Sequence, residues 1–432
     1  MTLRALLFFA GFLVAAIGSL FAPVLGVLGY TAHYAIGAEG QWWFSSLRIF
    51  EVRYALTLAL VTAVGFLMNS RKQSWGPHFF SGQEKLMLAF LGLVWLTVLA
   101  GPATQGLYTV VDHPSTKLTK ILFFVMLMSH IVTTLRNLDL LIWGLIAGGL
   151  VLGLEAYETP REAFSSGRLE TVGGPDFRDS NALAAYLAAL LPLVGIQFLR
   201  SGWRGKLVCA ACGAFILNGV VLARSRGAVV GLVAGAVVAV LFCPKAHRGK
   251  MALGMTLGVA SLFYLGDTGF WERAGTITKG PEGRDRSAES RLEIWEGGIK
   301  MATENPFGVG AGNFAQNIGK YAPLHPNRDA HSTFVRCLCE LGIAGLVVLA
   351  ALIVNSLVLL FKSVRRSNEL IEQGHPESGY LGLGILSALT VFVTSGLMGT
   401  FTYVEAFWWY LAIPVCLHRA LENAVHDNGP AS

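Results

Sequence analysis

The chain has 432 residues, of which 53% are hydrophobic and only 14% charged, with a formal net charge of +6 and a mean hydropathy of +0.55. Soluble globular chains carry about 25% charged residues, so an ordinary soluble enzyme is excluded, as are disorder, collagen, a coiled coil and a disulfide scaffold. What fits is a polytopic membrane protein, provided the apolar residues come in runs of about 20.

They do. In chain order the charge-poor apolar runs are 5–31, 51–68, 86–101, 118–134, 138–156, 181–198, 205–222, 227–242, 251–266, 333–361, 379–397 and 402–417. The first divides alternatively into two short helices around Pro23 and Gly26. Its stretch from Ala10 to Ala16 has the character of a signal-peptide core, but eleven runs follow, so it is read as a retained helix. Continuous runs, without alternation, specify helices and not barrel strands. The expectation is an all-α membrane protein of about twelve transmembrane helices. Residues 1–266 hold helices 1–9, residues 267–332 form a large outside loop with an amphipathic helix, and residues 333–432 hold helices 10–12 and a cytoplasmic tail.

Orientation follows from Lys and Arg. With both termini cytoplasmic, the short inside segments collect Arg4; Arg71, Lys72 and Lys85; Arg136; Arg200, Arg204 and Lys206; Lys245, Arg248 and Lys250; Lys362, Arg365 and Arg366; and Arg419. Most acids fall on the other side. The positive net charge then reflects topology and the lipid bilayer as partner, not nucleic acid. Cys209 and Cys212 form a C-x-x-C inside an apolar run, where membrane packing outweighs redox or metal work. Cys337 and Cys339, two apart on a helix, do not face each other. No zinc, haem, P-loop or dinucleotide pattern is present.

Two outside segments depart from a plain bundle. The first covers 157–180. The second, 267–332, contains a helical pattern from Ser290 to Ala302. Ser290 is placed to cap it with Glu293 as a capping box, and Leu292, Trp295, Ile299 and Met301 supply an apolar face. Asn305, Pro306 and Gly308 end it. Arg224 and Arg226 occupy a short outside turn against the charge bias, and Arg168, Arg178, Arg291 and Arg336 lie on the same side. Singly, each is served by an acid such as Glu170, Asp176, Asp179, Glu289, Glu293 or Glu340. Together they favour a cluster that holds an anion, since arginine suits bidentate phosphate contact. His331, at the start of the run 333–361, is a side chain that exchanges a proton near neutral pH. A lone histidine there is weak evidence, and Asp329 and Arg336 beside it add a little.

Four blocks resemble the O-antigen ligase and polymerase superfamily of bacterial inner-membrane glycosyltransferases. They are GRLETVGGPDFRDSNALAAY (Gly167 to Tyr186), ARSRGAVVGL (Ala223 to Leu232), SRLEIWEGGIKMATENPFGVGAGNF (Ser290 to Phe314) and HSTFVRCLCELGIAG (His331 to Gly345), in the family's order. The resemblance covers about residues 50–420. Two positions depart from it. His331-Ser332 replaces His-Asn, and Asp179-Ser180-Asn181 replaces Asn-Pro-Asn; the latter change points to an O-glycosylation ligase subfamily and leaves the acceptor open. The resemblance implies a GT-C-like fold and an active site on the periplasmic side of the inner membrane. It implies transfer of a glycan from undecaprenyl pyrophosphate to an acceptor hydroxyl, which in the ligases belongs to lipid A–core, with no metal or cofactor.

On that basis Arg226 and Arg291 are expected to grip the pyrophosphate, with Arg224, Arg168 and Lys120 in a second tier, and Gly227 to admit the phosphate close to the backbone. His331 is expected to be the general base of an inverting transfer. Glu340, about 14 Å along the helix, is expected to pair with Arg336 in a structural role, and Trp295 to cap the lipid groove. Trp42, Trp43, Trp408 and Trp409 are expected as interfacial anchors. Glu405 either lines the cavity or pairs with an arginine. The mechanism requires runs 227–242 and 333–361 to be neighbours. An O-antigen polymerase or a protein O-oligosaccharyltransferase shares these motifs. A transporter or flippase is a rival of another class, disfavoured because no two-fold repeat is evident.

Overall fold

The computed structural model describes residues 2–70, 79–101, 108–165, 167–170, 172–243, 248–275, 286–372 and 380–428. These form α-helices joined by loops and short 3-10 turns, with no strand among the described residues. The helices are α1 (Leu3–Phe21), α2 (Pro23–Ile36), α3 (Tyr54–Asn69), α4 (Gly82–Ala100), α5 (Pro114–Ile131), α6 (Leu135–Glu158), α7 (Ser180–Arg200) and α8 (Trp203–Ala223). They continue as α9 (Arg226–Phe242), α10 (Arg248–Leu265), α11 (Thr268–Gly275), α12 (Arg286–Glu304), α13 (Phe314–Tyr321), α14 (Thr333–Glu372), α15 (Leu381–Ser395) and α16 (Glu405–Asn428). A helix occupies most of the described residues of each apolar run. Six helices, α1, α4, α6, α7, α8 and α14, are long and apolar enough to cross a membrane by length and composition. The chain is a multi-pass membrane protein by these helices. The charged run Arg71-Lys72 and Lys245 fall outside the described residues.

The first apolar run is a hairpin. Ala22 breaks the helix and Pro23 starts the next at its first position, where its missing N–H costs nothing. The hairpin brings the start of α1 to the same end at which its return helix α2 finishes. Arg4 approaches Glu158 at the end of α6 (4.0 Å), and Ala5 packs with Ala38 and Trp43. The start of α1 therefore lies at the end of the bundle that carries the long loops. The C-terminal part of α16 lies at the opposite end, where Arg419 grips Glu84 of α4 through two parallel bonds, at 3.0 and 2.9 Å. Ser81 and Ser129 complete that buried network.

Helices α7 and α16 are central, buried on nearly every face, as expected of a helix hydrophobic all round. Trp408 and Trp409 sit in this core at 0% and 1% exposure, so they are not interfacial anchors. Trp408 donates to the Thr402 carbonyl (2.9 Å), and Trp409 packs on Tyr34 and Phe124. Their large rings fill the space where several helices meet. Trp43 is also buried, while Trp42 is exposed. Helix α9 packs on α15 through Gly227, Gly231 and Gly235, whose missing side chains leave room for Ser395, Val391 and Ser387 of α15. Small residues four apart let two backbones approach where no water drives association.

Among the described residues of 267–332, α11 packs on α9, and α12 and α13 pack over the first turns of α14. Ile294, Met301, Val309, Phe314, Ile318, Ala330 and Cys339 form a small core of their own there. The helix α12 is longer than its sequence pattern, so Ser290 is interior and not a cap. Its buried face is Ile294, Gly298 and Met301, while Leu292 and Ile299 are exposed. The reason is Gly298, whose bare α-carbon admits Val335 and Cys339 of α14 and thereby sets the helix's rotation.

Candidate active site

The long loops gather at one end of the bundle, and Arg226 and Arg291, both buried, lie with them. Asp179 caps α7 by accepting from the Asn181 backbone (2.7 Å). The Asn181 side chain in turn accepts from Arg168 Nη2 (3.0 Å) and from Ser225 Oγ (3.1 Å). Arg168 Nε also donates to the Ala223 carbonyl (3.1 Å). One asparagine thus ties the 159–179 loop to the turn between α8 and α9. Arg226 is the first residue of α9 and is 7% exposed; Arg291 on α12 is 9% exposed. Arg224 adopts a left-handed conformation (φ 47°) and pairs with Asp267 at 2.6 Å, a carboxylate that Arg161 also approaches. Burial, then Arg273, then more distantly Arg291, press the Arg168 guanidinium down to about 10 against the pull of Asp179 and Glu170.

His331 closes the same end. Its backbone is left-handed (φ 46°), a strained state for a residue with a β-carbon. The strands of contact around it explain how that state is held. Trp295 Nε1 donates to the Ala330 carbonyl (2.8 Å). The His331 N–H donates to Asp329 Oδ2 (3.3 Å). Thr333 donates its N–H to Gly396 (2.9 Å) and its hydroxyl to Gly399 (2.8 Å). Burial lowers the His331 pKa, and Arg291 and Arg168 act in the same direction, while Asp329 and Asp179 oppose them. Asp329 would rise on burial alone, but Arg336, Thr400 and His331 hold it below the ordinary carboxylate value.

The third and fourth sequence blocks interlock. Helix α14 is broken at Gly342 (φ 68°, ψ −169°), about 13 Å from its start. The carbonyls freed near that break accept from the Asn305–Gly310 loop: Val309 N–H donates to Cys339 (2.8 Å) and Gly310 N–H to Glu340 (3.0 Å). The Ile343 N–H donates back to Pro306 (3.3 Å). Irregular backbone at membrane depth is tolerated only when protein satisfies it in this way.

Of the residues singled out from sequence, Arg168, Arg291 and His331 are within electrostatic reach of one another. Arg226 adjoins Ser225, which shares the Asn181 acceptor with Arg168. Arg224 is engaged by Asp267. Lys120 is on an exposed face of α5 and donates to the Val111 carbonyl (2.9 Å), away from these contacts. Gly227 faces Met398 and Ser395, so its small size serves helix packing. The expected adjacency of runs 227–242 and 333–361 takes another form: α9 packs on α15 and α7, and the two helix starts meet through the 395–400 turn, which touches both Gly227 and Thr333. Arg336 pairs with Glu340 at i, i+4 (2.9 Å). Glu405 neighbours Tyr30, Asp176, Lys117 and Trp409, not an arginine.

Sequence reasoning missed Asn181 as a hub, although it sits in the first block. It also undervalued Asp329, two residues from His331. Arg273 and Thr400 belong to no motif and gave no signal. A family model described as O-antigen ligase matches residues 211–350. The exopolysaccharide production protein ExoQ of Rhizobium meliloti (strain 1021) is 26% identical over 317 residues, covering 66% of this chain and 68% of the relative. Both matches support the superfamily that the four blocks resemble, and the family-model region contains Arg224, Arg226, Arg291 and His331.

Proposed function

We propose that this relative of the O-antigen ligases and polymerases is an inner-membrane glycosyltransferase of the ligase type. It transfers a glycan from undecaprenyl pyrophosphate to a sugar hydroxyl of lipid A–core, at the periplasmic face formed by the 159–179 and 267–332 loops. The observation that supports this reading is that buried Arg291 on α12 and half-buried Arg168 in the 159–179 loop both act on His331, at the loop-bearing end of an apolar bundle. Arg226 and Arg291, with Arg168 behind them, hold the diphosphate. As the glycosidic bond breaks, negative charge grows on that leaving group, and guanidiniums in a poorly hydrated pocket stabilise it without a metal. His331, kept neutral by burial and by the arginines, takes the proton of the attacking hydroxyl. A single displacement at the anomeric carbon inverts its configuration.

The test is an assay with purified protein in nanodiscs containing EDTA and undecaprenyl-pyrophosphate glycan, with and without lipid A–core, beside His331→Ala. Glycan on lipid A–core, lost in the variant, is the expected result. No transfer to lipid A–core, with the protein folded, overturns the ligase reading. The naming of the relative for exopolysaccharide production favours, as a second reading, a polymerase use of the same site. Its mark is a ladder of longer glycan on the carrier lipid without added acceptor.

A further inference from the structure

A continuous chain of polar contacts runs from the interior of α14 to His331. Glu340, fully buried, accepts from Tyr403 OH (2.8 Å) on one oxygen and from Arg336 Nε (2.9 Å) and the Phe314 N–H (3.3 Å) on the other. Arg336 lies over the Tyr403 ring at 5.3 Å and donates through Nη1 to Asp329 Oδ1 (3.1 Å). The other Asp329 oxygen accepts from Thr400 and from the His331 backbone, and stands 3.9 Å from His331 Nδ1. The link to His331 is therefore a backbone bond and a nearby charge, not a ring hydrogen bond. No sequence spacing joins Glu340 to His331, because the path doubles back through Arg336 to a residue before the helix.

We propose that Asp329 is the positioning residue of His331, and that Glu340 acts on the same histidine by locking Arg336 against Asp329. This deepens the transferase reading and rests on it. Two effects follow from the geometry. The Asp329 carboxylate anchors the N–H of a histidine in a left-handed conformation, so the imidazole is aimed before substrate arrives. Its charge also offsets Arg291 on α12 and Arg168 in the 159–179 loop, with Asp179 at the start of α7 adding to it. Without Asp329 the histidine faces the arginines less compensated, and it becomes a poorer proton acceptor. Arg336, paired on both sides, is expected to be unavailable to the diphosphate.

The test reads both effects on the full chain in nanodiscs. Histidine-selective carbon-13 labelling and a His331→Gln spectrum for assignment give the His331 titration. Asp329→Asn is expected to lower that titration by about 1 pH unit and to cut kcat at least tenfold with donor KM little changed. Glu340→Gln is expected to shift both in the same direction by less, and Arg168→Gln to raise the titration. A carboxylate with a purely structural role would lower the yield of folded protein and leave the titration of the folded fraction in place. If Asp329→Asn does not fold, Thr400→Val removes one donor to Asp329 without changing charge, and a lowered kcat is expected. An unshifted titration with unchanged kcat in either folded variant overturns the proposal. If no acceptor supports transfer at all, the transferase reading fails, while the titration still decides whether Asp329 is coupled to His331.

Discussion

At the scale of single residues, the site is a contest between burial and charge. Burying an arginine or a histidine disfavours its charged form, and the arginines around His331 push it further toward neutrality. A base must be neutral to accept a proton, so activity should fall as pH drops through the His331 pKa. Because that pKa is lowered, the acid limb of the kcat profile should lie below the ordinary histidine value of about 6.5. A limb at or above that value would remove His331 as the base. Replacing His331 by alanine should cost about 10²–10⁴-fold in rate, and Arg226→Lys or Arg291→Lys about 10²–10³-fold. Lysine is not equivalent there, since an ammonium lacks the planar fork that meets two phosphate oxygens at once. Donor binding and turnover in each variant measure these losses.

At the scale of elements, the broken helix α14 and the loop that mends it form one unit. A β-carbon on Gly308 would lie 2.3 Å from the Glu340 carbonyl oxygen, and one on Gly342 2.3 Å from that of Pro306. Both glycines also have positive φ. Alanine at either position should separate loop from helix and cost at least about 1–3 kcal/mol from backbone strain alone. Gly11→Ala, on α1 with nothing near its missing side chain, is the matched control and should be neutral. Thermal unfolding in detergent compares the three. Because Glu340 is one of the residues the loop bonds to, Gly308→Ala should also lower activity in whatever fraction stays folded. The blocks around Pro306 and Gly342 were legible in the sequence as motifs. Their mating was not, because backbone hydrogen bonds between segments 30 residues apart leave no trace in residue type beyond the glycines that permit them.

At the scale of the whole molecule, the two ends of the bundle do different work. One end gathers the long loops, Arg4 and the arginine cluster. The other is closed by the Glu84–Arg419 pair, with exposures of 1% and 7%; Ser81 and Ser129 donate to the Glu84 oxygens, and the Ser129 and Phe79 carbonyls accept from the Arg419 terminal nitrogens. Breaking a buried pair by removing one partner strands the other charge and costs about 3–5 kcal/mol. Arg419→Ala should therefore lower the unfolding temperature markedly while leaving the donor affinity of the folded fraction unchanged. The placement of Arg4 carries a second prediction. Cysteine introduced at Thr2 and at Leu324 should react with a membrane-impermeant maleimide from the same side, and cysteine at Glu422 from the other. Labelling of Thr2→Cys from the Glu422 side would instead put both termini on one side, as the charge bias expects.

Composition and hydropathy by themselves determined that this is a helical membrane protein, and charge bias separated the end with loops from the end without. They did so because lipid demands apolar runs and satisfied backbone whatever the fold. The four motif blocks pointed to the superfamily and to Arg226, Arg291 and His331, since charged residues placed against a membrane bias stand out in one dimension. Tertiary structure alone decided the rest: the hairpin of α1 and α2, the burial of Trp408 and Trp409, the Asn181 hub, and the path from Glu340 to His331. Each depends on which helices are neighbours, and that is set by shape and packing between segments far apart in the chain, which no local pattern of residues encodes.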